Sequence, residues 1–259
     1  MISAGERQAL TVDGIELETA WFGERSSGPV LVFLHEGLGS VEQWRDMPAE
    51  LARRTDLPAF AYSRQGYGSS SSVTVPRPLT YMHDEAARLP RILAAAHISN
   101  AILIGHSDGA SIAIVAAGSR VIAPRALVLI APHVFVEDVS VTSIAAAADA
   151  YRTGDLRARL ARYHRDVDGA FWGWNRAWLD PAFRGWNIES YLPAIAAPTL
   201  VVQGEADEYG TRAQVDAIAR QLGGPCDVAM IANAGHTPQR QQPEAVYSCV
   251  AAFVASIIR

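Results

Sequence analysis

Five residues, Gly105-His106-Ser107-Asp108-Gly109, constrain this chain more tightly than any other stretch of it. They fit the pattern Gly-x-Ser-x-Gly. The run 101–104 before them is apolar and reads as a short buried strand, and the run 110–117 after them reads as a buried helix. A strand that turns straight into a helix holds a serine hydroxyl at the tip of the turn. The flanking glycines are needed because a Cβ would clash in so tight a bend. So short a pattern arises by chance, and its meaning depends on context. Acyl-transfer chemistry requires a base, an acid and two oxyanion donors at the same place.

The rest of the chain supplies a frame for such a site. Residues 30–34 form an unbroken apolar run, as do 59–62 and 199–202; 125–130 gives another buried strand, and 226–231 reads as a last strand. Unbroken runs mark strands buried on both faces, as in a parallel sheet. Helical patterns over 42–54, 81–96 (containing Pro90) and 244–258 fall between and after these strands. The alternation predicts an α/β chain with a doubly wound, mostly parallel sheet. Residues 9–22 alternate around Asp13-Gly14 and read as an antiparallel hairpin at the sheet edge.

Residues 134–192 break the alternation. They offer helical patterns at 143–151 and 156–164, then an aromatic stretch with Phe171, Trp172, Trp174, Trp178, Phe183 and Trp186. The division expected is a core of residues 1–133 and 193–259 with a helical cap of residues 134–192. Lying between two strands, the cap should emerge at the carboxyl end of the sheet, where open α/β sheets bind ligands.

Composition narrows the partners. The 259 residues are 49% hydrophobic and 19% charged, enough for a full core, and the net charge of −5 speaks against nucleic acid. Cys226 and Cys249, the only cysteines, make neither a metal cluster nor a disulfide framework. With no apolar leader over residues 1–7 and no run long enough to span a bilayer, a cytoplasmic protein off the membrane is expected. The oligomeric state is open, a homodimer included.

Serine needs an adjacent base held by a third group. His236, on a loop after the last strand, is the base expected. Asp207, on the loop after strand 199–202, is the acid, with Glu205, Glu208 and Asp138 as rivals. The order Ser107, Asp207, His236 is that of the nucleophile-elbow architecture. The oxyanion donors expected are the N–H groups of Asp108, at a helix start, and of Glu36, in His35-Glu36-Gly37 after the first buried strand.

The other histidines read as structural. His106 points away from the nucleophile and His35 braces the oxyanion loop. His83 with Asp84 caps a helix. His133 and His164 are structural or line the pocket. The substrate-binding set comprises His35, Gly37, Trp172, Trp174, Trp178 and Trp186, although about half of the tryptophans should be packing, since a cap needs its own core.

Taken in order, the His-x-Gly loop, the turn Gly66-Tyr67-Gly68-Ser69, the elbow, the Gly204-x-x-Asp207 loop and Gly235-His236 resemble the α/β-hydrolase superfamily over nearly the whole chain. The resemblance implies an eight-stranded sheet, an inserted helical cap, a Ser107–Asp207–His236 triad, and no metal or organic cofactor. Glu36 departs from it, standing where many members carry Gly; its side chain either meets substrate or points away. Ser63 stands where Asp is frequent, with no functional meaning assigned. Relatives that dehalogenate or open epoxides use a carboxylate at the elbow, so serine leaves ester, C–C, and amide or lactone hydrolysis. Hydrolysis of a small ester with an apolar or aromatic part is preferred, and a ligand receptor on the same scaffold is the non-enzymatic alternative.

Overall fold

Strands buried on both faces belong in the middle of a sheet, and the five with no exposed residue are found there. They are β3 (Val30–Leu34), β4 (Ala59–Tyr62), β5 (Ala101–His106), β6 (Ala126–Ile130) and β7 (Thr199–Gly204). The structure, a computed structural model, describes residues 5–25 and 27–258, so part of the stretch read for a leader lies outside the described residues. Among the described residues the strands form one eight-stranded sheet in the order β1-β2-β4-β3-β5-β6-β7-β8. β1 (Glu6–Val12) and β2 (Ile15–Phe22) pair antiparallel through Asp13 and Gly14, both with positive φ, as a type I′ turn requires. β2 is antiparallel to β4, and every later pairing, out to β8 (Cys226–Ile231), is parallel.

Side chains alternate between two cores. Leu31, Phe33, Ile102, Ile104, Val128 and Ile130 face one side, with α1 (Met47–Thr55) and the closing helix. Val32, Leu34, Leu103, Leu127 and Leu129 face the other, against α2 (Tyr81–Ala95) and α3 (Asp108–Gly118). This is the doubly wound arrangement that the alternation predicts. After β3 the chain moves to β4 on one side and then to β5 on the other, so the loops leaving β3 and β5 part at a topological switch point, the favoured ligand site of such sheets. Those loops carry Glu36 and Ser107.

Between β6 and β7 stand α4 (Asp138–Thr153), α5 (Leu156–Leu160) and α6 (Val167–Leu179), followed by two short 3-10 segments. A bridge between Phe135 and Asn187 ties the two ends of this insertion together. The core resumes with α7 (Arg212–Gln221) and ends with α8 (Pro238–Gln241) and α9 (Pro243–Ile258). No helix among the described residues is long and apolar enough to cross a membrane.

Three local expectations are corrected. The helix expected over 42–54 splits into a 3-10 turn, Glu42–Trp44, and α1, because Arg45 takes φ 54° between them. The helix expected over 156–164 stops at Leu160, and His164 turns back onto the core. His83 and Asp84 do not cap α2, whose N-cap residue is Thr80.

The sharpest steric demand lies where α3 leaves β5. A Cβ on Gly105 would sit 2.6 Å from Ala110 Cα, and one on Gly109 would overlap the Leu34 carbonyl oxygen, neither of which is a flexible side chain. Gly109→Ala should therefore cost about 1–3 kcal/mol by overpacking. Gly185→Ala, where a Cβ meets nothing within 4 Å, should change stability by less than about 0.5 kcal/mol. Urea denaturation of both variants checks this, and equal stabilities would contradict it.

Candidate active site

The turn at Ser107 is strained because strand and helix meet with no linker. Ser107 takes φ 52° and ψ −118°, a region a serine seldom visits, held by Ser107 N–H donating to the Ile130 carbonyl at 2.9 Å. Its Oγ lies 3.0 Å from His236 Nε2, and His236 Nδ1 lies 2.9 and 3.0 Å from the two Asp207 carboxylate oxygens. With the proton on Nδ1, His236 donates to Asp207 and accepts from Ser107. Loops after β5, β7 and β8 thus meet at one end of the sheet.

Asp207 is fixed from behind. It accepts from the backbone N–H of Tyr209 and Gly210 and from Gln203 Nε2, at 2.8, 3.1 and 2.7 Å. Burial pushes its carboxyl up, but the hydrogen bond and charge of His236 outweigh that and hold it below the ordinary aspartate value. Its rivals do other things. Asp138 pairs with Arg184 at the surface, and Glu208 accepts from the His236 backbone N–H at 3.0 Å. Glu205 is exposed. His106 points away from the hydroxyl, and its Nε2–H donates to the His236 carbonyl at 2.8 Å, so it holds the backbone of His236.

Neither the Glu36 nor the Asp108 N–H donates a hydrogen bond within the described residues. Arg64, which the sequence reading passes over, sets the geometry of the first. It is fully buried and donates to the carbonyls of His35 and Glu36, each at 3.0 Å. A trans peptide points its N–H opposite its C=O, so the Glu36 N–H faces away from the guanidinium. His35 braces the same loop: Nδ1–H donates to the Glu36 carbonyl at 2.7 Å and Nε2 accepts from the Arg64 N–H at 3.0 Å. The Glu36 side chain turns to Arg240 and His106, at 3.3 and 3.4 Å.

The same guanidinium lies 3.9 Å from the buried Asp108 carboxylate, which also accepts from Tyr81 Oη at 2.6 Å and Trp178 Nε1 at 3.2 Å. Burial pushes the Asp108 carboxyl above its ordinary value despite these partners. One hint is legible in the sequence: Arg64 lies two residues past the end of β4, so a strand buried on both faces delivers a cation to the carboxyl end of the sheet. The contacts of Tyr81 and Trp178 join residues 97 positions apart and leave no local signal.

A cavity of about 310 Å³ opens over Ser107. Core residues Glu36, Gly37, Asp108, His133 and His236 line it together with Ile144, Leu156, Leu160, Trp174 and Trp178 from the insertion. Gly37 has a steric reason, since a Cβ there would run into the Trp174 indole. Of the expected substrate-binding set, Gly37, Trp174 and Trp178 border the cavity. Trp172 packs on Phe171 and Tyr151 beneath Arg152 and Arg176, and Trp186 stacks on Phe183, so both lie outside it. His35 is sealed behind the loop. His164, from the insertion, accepts from the Gly68 N–H at 3.0 Å and donates to the Leu38 carbonyl at 2.9 Å, pinning the insertion to the core.

Three histidines around the site are held below the ordinary histidine value, with burial the largest cause in each: His35, His164, and His133, pushed down to about 3. Unfolded, such a histidine binds a proton at a pH where the folded form does not. Stability therefore falls as pH drops through about 6.5. Asp207 and Glu36, held low, add to the loss in the carboxylate range, while Asp108, held high, opposes it. The Tm should decline steadily from pH 7 to pH 5, and a constant or rising Tm over that interval would contradict this assignment.

Comparison with known proteins bears on the fold and the family. The sequence profile described as the alpha/beta hydrolase family matches residues 31–248. A 2-succinyl-6-hydroxy-2,4-cyclohexadiene-1-carboxylate synthase of Klebsiella pneumoniae is 30% identical over 90% of this chain and 96% of its own. A 2-(acetamidomethylene)succinate hydrolase of Mesorhizobium japonicum is 24% identical over 89% of this chain and 90% of its own. Among solved structures, a serine hydrolase involved in carbazole degradation superposes with a TM-score of 0.78 at 18% identity, covering 97% of this chain and 99% of that one. With its eight-stranded doubly wound sheet and a profile match over most of its length, the chain belongs to the α/β-hydrolase family.

Proposed function

We propose that the chain is a serine hydrolase that cleaves small carboxylic esters through an acyl-enzyme, and that residues 134–192 act as a cap that shapes the substrate pocket. The observation that carries this proposal is the unbroken line from Ser107 Oγ through the His236 imidazole to the Asp207 carboxylate, at the floor of a cavity lined partly by the insertion.

In this mechanism Ser107 Oγ attacks the ester carbonyl carbon while His236 Nε2 takes the hydroxyl proton. Asp207 keeps the imidazole in the tautomer with Nδ1–H and stabilises the imidazolium. The carbonyl oxygen becomes an oxyanion between the N–H groups of Glu36 and Asp108, the second at the positive end of α3; such a donor contributes on the order of 3 kcal/mol to the barrier reduction. His236 then gives its proton to the departing alkoxide, leaving Ser107 acylated. Water, deprotonated by His236, attacks the acyl carbonyl, and collapse of the second tetrahedral intermediate returns the proton to Ser107 and releases the acid. A cavity at the small end of the range for ligand sites, with apolar walls from Trp174, Ile144, Leu156 and Leu160, suits a short ester with an apolar part. The two free thiols, Cys226 and Cys249, suit a reducing compartment, and we assign the protein to the cytoplasm.

A panel of p-nitrophenyl esters, lactones, amides and a ring-cleavage dienoate tests the reaction class, run beside Ser107→Ala. Short esters should be turned over best, and Ser107→Ala should lower kcat by at least about 10³-fold while leaving the fold intact. Wild-type ester turnover by Ser107→Ala would overturn the mechanism. Tight binding of panel members without product would favour the receptor alternative instead.

A further inference from the structure

The catalytic scheme leaves one buried titratable group at the cavity without a task. His133 follows β6, where the chain turns through Ala131 at φ 46°. Its backbone is pinned, because the His133 carbonyl accepts from Ser111 Oγ at 2.6 Å and the next N–H, of Val134, donates to Gln214 at 2.8 Å. Its ring is held edge-on to Trp178 with centroids 5.2 Å apart, and 5.5 Å from the ring of His236. The residue is 2% exposed and lines the cavity over Ser107.

The two ring nitrogens differ. Nδ1 is sealed and has no hydrogen-bond partner; its edge of the ring packs so close to Gly210 that a Cβ there would lie 3.2 Å from Cε1 and 3.5 Å from Nδ1. Nε2 also has no protein partner among the described residues, but unlike Nδ1 it is not sealed, and His133 lines the cavity. An orphaned buried N–H is rarer than an acceptor left without a donor, so the proton belongs on Nε2. Burial, together with the charge of His236, keeps the ring neutral. His133 therefore presents a fixed, uncharged donor to the cavity. The charged groups of the wall are already engaged: Arg240 with Glu36, Asp108 with Tyr81 and Trp178, and Glu208 with the His236 amide.

We infer that the substrate of this site carries a second, uncharged oxygen acceptor, a carbonyl, ether or hydroxyl a few bonds from the scissile ester, which receives a hydrogen bond from His133 Nε2. This inference rests on the ester-hydrolase proposal and narrows it. An uncharged acceptor is specified because the Asp207 charge acts on the His133 ring and the Glu208 carboxylate lines the cavity, and both disfavour a carboxylate there. A donor left unpaired in an otherwise apolar setting discriminates against an analogue that cannot accept.

Isosteric ester pairs test it, each differing by one CH₂ replaced with O. On the acyl side these are p-nitrophenyl 3-methoxypropanoate against pentanoate, and on the alcohol side 2-methoxyethyl against butyl acetate. Rates are normalised to hydroxide hydrolysis. Wild-type kcat/KM should favour the oxygen-bearing member of one pair by about tenfold, the scale of one neutral hydrogen bond. His133→Leu and His133→Phe should bring that ratio to within about twofold of unity while still cleaving the hydrocarbon ester, and His133→Gln, which restores a donor, should regain part of it. Because the ratio is internal to each enzyme sample, partial unfolding of a variant does not alter it. A wild-type ratio near unity in both pairs, or a preference that survives in His133→Leu, would overturn the role of His133. No turnover of any of the four esters would instead overturn the ester-hydrolase proposal on which it rests.

Discussion

The close packing of α3 against β5 and β3 is the constraint on which the rest of the site depends. Gly105 and Gly109 allow backbone to approach backbone, and with no room for a linker the chain must reverse at one residue. That residue, Ser107, is held at φ 52° with its side chain at the tip of the turn. The strain is small beside the packing that enforces it, and it places three features within one helical turn: a hydroxyl, the amide of Asp108 and the positive end of α3. The switch in strand order between β3 and β5 then brings the Glu36 loop alongside.

A second constraint, electrostatic rather than steric, holds that loop in place. Arg64 is buried with its charge balanced by Asp108, and its two terminal nitrogens donate to the two carbonyls of the His35–Glu36 segment. One cation therefore touches both Glu36 and Asp108. Trp178 of α6 bonds to the same Asp108 carboxylate, and His164 pins the insertion to Leu38 and Gly68. The insertion is thus joined by hydrogen bonds to Leu38, Gly68 and Asp108, so substitutions in α6 that disturb Trp178 reach the Ser107 turn through Asp108.

The sequence declares the central strands plainly because burial on both faces removes any polar alternation, and it declares the elbow because only glycine fits on either side of it. The loop positions of Asp207 and His236 follow from strand order, since every parallel strand delivers its carboxyl end to the same edge. What stays hidden depends on distance in space. The role of Trp172 is set in part by an edge-on partner, Tyr151 of α4, that periodicity does not pair with it. The break at Arg45 has no glycine to announce it. The partnership of Arg64 with Asp108 and Tyr81 joins three elements that no local pattern connects.

The central claim is that packing and hydrogen bonding turn an ordinary serine into an activated nucleophile. Covalent labelling with an alkyl fluorophosphonate, mapped by peptide mass spectrometry, tests it most directly, because the reagent phosphorylates serine only where a base and an oxyanion site act together. The account predicts a single adduct on Ser107 in the wild-type protein, and a rate of labelling reduced at least about 10³-fold in His236→Ala. Labelling elsewhere, no labelling, or an undiminished rate in His236→Ala would contradict it.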